Sequence, residues 1–84
     1  MKSILEGVVE EEYKRSIDHA KTLLSKLKAS LISSEEYKRF SIQLSNRYEN
    51  IKFAQHCLSI EEDENKYLLE EIEVLLNNKG GEYN

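Results

Sequence analysis

Apolar side chains recur at seven-residue spacing on both sides of a short polar break. Tyr13, Ile17, Ala20, Leu24, Leu27 and Leu31 follow one another at intervals of 4, 3, 4, 3 and 4, and Tyr37, Phe40, Leu44, Arg47, Ile51, Ala54 and Leu58 at 3, 4, 3, 4, 3 and 4. Such intervals lay a narrow stripe along a helix, narrow enough to be a coiled-coil seam. The break is Leu31-Ile32-Ser33-Ser34-Glu35-Glu36-Tyr37. Here Ser33-x-x-Glu36 matches a capping box, in which the serine oxygen accepts from an amide one turn on and the glutamate reaches back. A chain that turns at Ser33 folds its two stripes against each other. In that antiparallel register, facing positions have a constant sum of 67 or 68, which sets small Ala20 against long Arg47 and large Tyr13 against small Ala54. A close-packed seam requires this alternation of sizes.

A third segment has a different pattern. Leu68, Leu69, Ile72, Leu75 and Leu76 make a broad apolar face, with Ile60, Tyr67 and Val74 along one edge. One neighbour cannot cover so wide a face; the groove between two helices can. Ser59-x-x-Glu62 repeats the capping pattern ahead of it, as Ser3-x-x-Glu6 does ahead of the first stripe. The expected elements are helices over 3–31, 34–58 and 60–78. The expected fold is all-α: an antiparallel helical hairpin with the third helix packed across it, forming one domain over 1–79. The residues before Val9 are expected to bend away, since Glu6 and Glu10 fall at seam positions and Gly7 weakens the first turns. Lys79 and Gly80-Gly81 read as a helix stop, and 80–84 as a disordered tail.

Composition supports the helical reading and limits the functions open to the chain. The 84 residues hold 33% charged and 39% apolar side chains, three glycines, no proline and no tryptophan. That is a mixture of helix formers, at a size where one core is marginal and association adds needed surface. A homodimer is therefore expected. Net charge is −4. Residues 60–84 carry eight acids against two bases, whereas residues 1–59 carry eight against ten. An acidic balance disfavours direct nucleic-acid binding, which needs excess lysine and arginine to displace counterions. A protein partner fits better. With a single cysteine, Cys57, no disulfide closes within the chain, and no apolar run is long enough for a membrane span. Those features set the expected location as cytoplasmic, with no membrane partner.

Candidate chemistry is sparse. No spacing marks out a nucleophile with its base, a glycine-rich phosphate loop or a metal-binding His pair, and His56 and Cys57 point about 100° apart on a helix. The expectation is a protein that is not an enzyme and has no cofactor or metal. Three surfaces remain as candidates. Glu61, Glu62, Asp63, Glu64, Glu70, Glu71 and Glu73 could present a phosphate-like face to a basic nucleic-acid-binding partner. Ile4, Leu5, Val8, Val9, Leu23, Ile42 and Phe53 fall outside the seam and could carry self-association or partner contact. Arg47, charged at a seam position, could fix register or specify a partner. The functional expectation is a non-catalytic protein-binding module: a small acidic regulator, inhibitor or adaptor. The alternatives are a nucleic-acid-associated regulator using the Lys14, Lys21 and Lys28 edge, and a structural assembly subunit.

Overall fold

The computed structural model describes residues 4–29, 31–61 and 63–81. It contains three helices, α1 (Ile4–Lys28), α2 (Ser34–Leu58) and α3 (Lys66–Gly81), and no strand among the described residues. The extents are 48 × 20 × 17 Å. As the seam spacing requires, α1 and α2 form an antiparallel hairpin, and α3 packs across it.

The turn at Ser33 has the expected chemistry. Ser33 is extended (φ −73°, ψ 160°), its Oγ accepts from the Glu36 amide at 3.2 Å, and it donates to the Glu36 carboxylate at 3.1 Å. A cap of this kind is worth about 1 kcal/mol. α1 stops at Lys28 rather than at 31, and the difference decides which residue turns inward. An antiparallel return to Ser33 leaves no room for another helical turn, so Leu31 lies outside the bend, 96% exposed, and Ile32 packs on the core. The Leu31–Tyr37 pair therefore does not form. At its other end α1 is continuous from Ile4, through Gly7, where an added Cβ would meet nothing within 4 Å. The expected bend away before Val9 is absent from Ile4 onward; Ser3, with its capping box, lies outside the described residues.

α1 buries a face two stripes wide. Tyr13, Ala20, Leu24 and Leu27 of the predicted seam are buried and Ile17 is half-buried, but Ser16 and Leu23 are fully buried too. Arg47 of α2 donates to Ser16, whereas Tyr13 bonds to Glu64 and Asn65 at the start of α3. The 16-20-23-27 stripe thus faces α2, and the 13-17-24 side faces α3. Leu23 was assigned to an outer surface; it is 1% exposed and belongs to the hairpin core, so it is unavailable to a partner. In the same way α2 carries a second inward stripe, buried Ser41 and Gln55 with half-buried Tyr48, of which Tyr48 and Gln55 meet α3 and its leading turn.

Ser59 ends α2 instead of opening α3. Its backbone is left-handed (φ 54°, ψ 40°), its amide donates to the His56 carbonyl at 3.3 Å, and the Ile60 amide donates to the Gln55 carbonyl at 2.9 Å. This is a Schellman closure with an apolar residue following it, and Ile60 packs on the core. Glu62, the other half of the proposed box, lies outside the described residues. α3 accordingly begins at Lys66, six residues later than expected, after Asn65 (φ 63°) accepts from the Leu69 amide at 2.9 Å. The acids at 61, 63 and 64 precede the helix, so they are not its first turn. At the far end α3 runs to Gly81, past the expected stop; the tail beyond it, 82–84, lies outside the described residues.

Candidate functional site

Contacts between α3 and the hairpin are centred on acids. The Tyr13 hydroxyl donates to the Glu64 carboxylate and accepts from the Asn65 amide at 2.5 Å, while Gln55 Nε2 donates to the Glu64 carbonyl at 2.8 Å. Lys28 pairs with Glu71, and the Tyr48 hydroxyl donates to Glu73. Contacts at Tyr13 and then Lys28 give α3 the same general direction as α1. Contacts at Gln55 and then Tyr48 make it antiparallel to α2. Ile72 sits between these polar rims, fully buried.

The seven acids assigned to a single face are therefore divided. Glu71 and Glu73 lie on opposite flanks of α3, one turned to α1 and the other to α2, and Glu64 is tied to Tyr13. Glu61, Asp63 and Glu70 are exposed, and Glu62 lies outside the described residues. The same contact uses one end of the lysine edge. Lys28 is engaged by Glu71, Lys14 lies 3.9 Å from Glu10, and Lys21 is exposed.

Both tyrosines respond to their carboxylate partners. Hydrogen bonding to Glu73, then burial, pushes the Tyr48 hydroxyl up to about 12 from 10.0; burial, then the bond to Glu64, raises Tyr13. A tyrosine with a raised folded-state value binds its proton more tightly when folded. Its stabilisation is complete below the unfolded value of 10.0 and is lost as pH rises through about 12. Denaturation midpoints measured from pH 9 to about 12 should fall more steeply in the natural protein than in Tyr48→Phe. Parallel curves would show that the Tyr48–Glu73 contact contributes nothing.

Arg47 reaches across the hairpin rather than into solvent. Its Nη1 donates to Glu12 Oε1 at 2.8 Å and to Ser16 Oγ at 3.4 Å, and its side chain is only 26% exposed. Its stem covers the seam while the charge pairs with an acid of α1, about two turns from the Ala20 position expected opposite it. On the far side of the seam Lys26 Nζ stands 5.1 Å from the Phe40 ring centroid, a cation over an aromatic face. That contact lies beside the expected Leu27–Phe40 pair.

The antiparallel register also explains the exposed apolar residues of α1. With α2 ending at Leu58, a sum near 67 places its last residue level with Val9, which is half-buried against the core. Ile4, Leu5 and Val8 lie beyond that level, past the last residue of α2; Ile4 is 90%, Leu5 72% and Val8 59% exposed. Ile42 and Phe53 are exposed on α2, about 16 Å apart along the helix, and so form no patch with each other. Tyr67 and Val74, expected along the edge of the broad face, are exposed on the outside of α3.

A groove of about 820 Å³ runs between the second half of α2 and the first half of α3, lined by Tyr48, Lys52, Gln55, Lys66, Leu69 and Glu70 among others. Its rim alternates in sign, with Lys52 5.2 Å from the Tyr48 ring centroid. Among the described residues no group of three His, Cys, Asp or Glu is placed to hold a metal, and no helix is long and apolar enough to cross a membrane. Cys57 is exposed and unpaired. Comparison with protein-family models, with curated proteins and with solved structures finds no match for this chain.

Proposed function

We propose that the chain is a non-catalytic protein-binding module, a small cytoplasmic regulator or adaptor whose partner docks on the bare end of α1. The observation carrying this reading is the uncovered first turns, where Ile4, Leu5 and Val8 project past the end of α2. A helix end with exposed apolar side chains gains stability when a partner buries them, by about 25 cal/mol for each Å² removed from water. The partner class is a protein with an apolar groove that accepts one amphipathic helix end. An acidic docking face is a weaker version of the reading, because Glu64, Glu71 and Glu73 are already engaged within the chain. A nucleic-acid role for the lysine edge is weaker still, with Lys28 neutralised by Glu71.

Leu5→Asp with Val8→Asp tests the proposal, since both positions are outside the core and the fold should persist. Proteins retained from an extract by the immobilised natural chain should be absent from the variant, with unchanged far-UV circular dichroism. Equal retention by a folded variant would refute docking at this end.

A further inference from the structure

The connector between α2 and α3 is held by left-handed backbone at both ends, which costs more at Ser59 than at Asn65, since asparagine tolerates that region better than other non-glycine residues. Ser59 and Asn65, at its two ends, both have left-handed backbone, φ 54° and φ 63°. There the Cβ of an L-residue crowds the next carbonyl oxygen, and glycine, which escapes that cost, stands at neither position. Residues 59–65 also contain no proline, so the covalent chain permits helix to continue from α2 into α3. α3 is lightly seated. Among the described residues its one fully buried side chain is Ile72; Leu68, Leu69, Leu75 and Leu76 pack on the core only half-buried, and the rest of its hold is the acid-centred rim: Glu64 with Tyr13, Glu71 with Lys28, Glu73 with Tyr48. Each of these contacts joins α3, or the turn leading into it, to the hairpin. An α3 from another copy would remake the Glu71 and Glu73 contacts unchanged and bring Glu64 to the same end of the groove.

We propose that α3 exchanges between two copies of the chain: the connector straightens, and each hairpin groove is filled by the α3 of the other copy. The occupant is a second copy because two polar positions of the groove, Lys28 and Tyr48, are matched by Glu71 and Glu73 of α3, and a third, Tyr13, by Glu64 just ahead of it. The register is compatible with exchange. Tyr48 meets Glu73 and Gln55 meets Glu64, pairs whose position numbers add to 121 and 119. Two antiparallel helices, each joining α2 to α3, keep both pairs if their two-fold axis passes near residue 60, within the connector. Exchange releases the left-handed residues in both copies. It is opposed where Glu61 and Asp63 approach their counterparts near the axis, a repulsion that salt screens. Dimerisation therefore strengthens with ionic strength, independently of any partner at the bare end of α1.

Two double variants test the hinge: Ser59→Ala with Asn65→Ala, and Ser59→Gly with Asn65→Gly. Both lack the same polar side chains and differ in the backbone they favour. Light scattering after size exclusion should give the alanine pair a dimer dissociation constant about tenfold or more below that of the glycine pair. The topology is read separately, by incubating ¹⁵N-labelled with unlabelled chains and coupling Lys28 to Glu71 with a carbodiimide. In the dimer fraction the cross-linked peptides should combine labelled and unlabelled halves. Equal dimerisation of the two variants, or Lys28–Glu71 links confined to one isotope, would overturn the exchange. Should the alanine pair fail to fold, the natural chain at high salt carries the same readout: absence of a dimer, or single-isotope links in it, overturns the proposal.

Discussion

Leu23→Ala should cost about 3 kcal/mol of folding stability, while Leu31→Ala should cost less than about 0.5 kcal/mol. The two leucines sit eight residues apart, and the heptad spacing favours Leu31 as the core residue. The folded chain reverses that order: Leu23 is 1% exposed between α1 and α2, and Leu31 lies outside the bend. Truncating a buried leucine removes its transfer free energy and leaves a cavity that close-packed neighbours only partly fill. A chain of this size has total stability on the order of 5–10 kcal/mol, so the Leu23 variant would lose a large share of it. Urea denaturation measures both values. Equal midpoints for the two variants would mean that α1 is rotated about its axis from the position described.

The second large effect is expected on α3. Ile72→Ala should cost about 2–4 kcal/mol, and Val74→Ala less than about 0.5 kcal/mol. Among the described residues Ile72 is the fully buried side chain of α3, and the leucines around it at 68, 69, 75 and 76 are only half-buried. The ion pair at Lys28–Glu71 is about half exposed and contributes at most about 1 kcal/mol. Loss of the Ile72 side chain should therefore loosen α3 before the hairpin. Segment-resolved hydrogen exchange should show faster exchange across α3, with α1 and α2 less affected. An Ile72 variant as well protected as the Val74 variant would rule out this mode of docking.

The hairpin was visible in the sequence because its seam on α2 is written almost wholly in apolar letters, and because Ser33 and Glu36 have one obvious use in a chain that must turn. The second stripe of each long helix was hidden for the converse reason. On α1 the stripe facing α2 includes Ser16, and on α2 the stripe that includes the contacts to α3 runs through Ser41, Tyr48 and Gln55. Hydrophobic periodicity cannot register polar residues that the fold turns inward, Ser16 and Gln55 with bonding partners and Ser41 with its hydroxyl unpaired among the described residues. Ser59 was misplaced because the capping pattern is short, and a serine can close a helix in left-handed geometry as well as open one. The acids were read as one face because seven of them crowd into thirteen positions. Helical geometry sends Glu71 and Glu73 to opposite flanks, each to a partner that only the folded hairpin supplies. At the bare end of α1 the apolar letters were visible from the start, but their exposure depends on where α2 stops, which three-dimensional register alone decides.

The polar stripe on α2 has a consequence for discrimination. A groove with only apolar side chains would accept almost any amphipathic helix, and this chain has three of them. Here an intruding helix whose leading turn offered no suitably placed acceptor would strand the buried Gln55 amide away from water, at about 1–3 kcal/mol for a group left unpaired. Gln55 and Tyr13 thus act as a password for α3 and the turn leading into it, rejecting mismatched helices by the bonds they would fail to make.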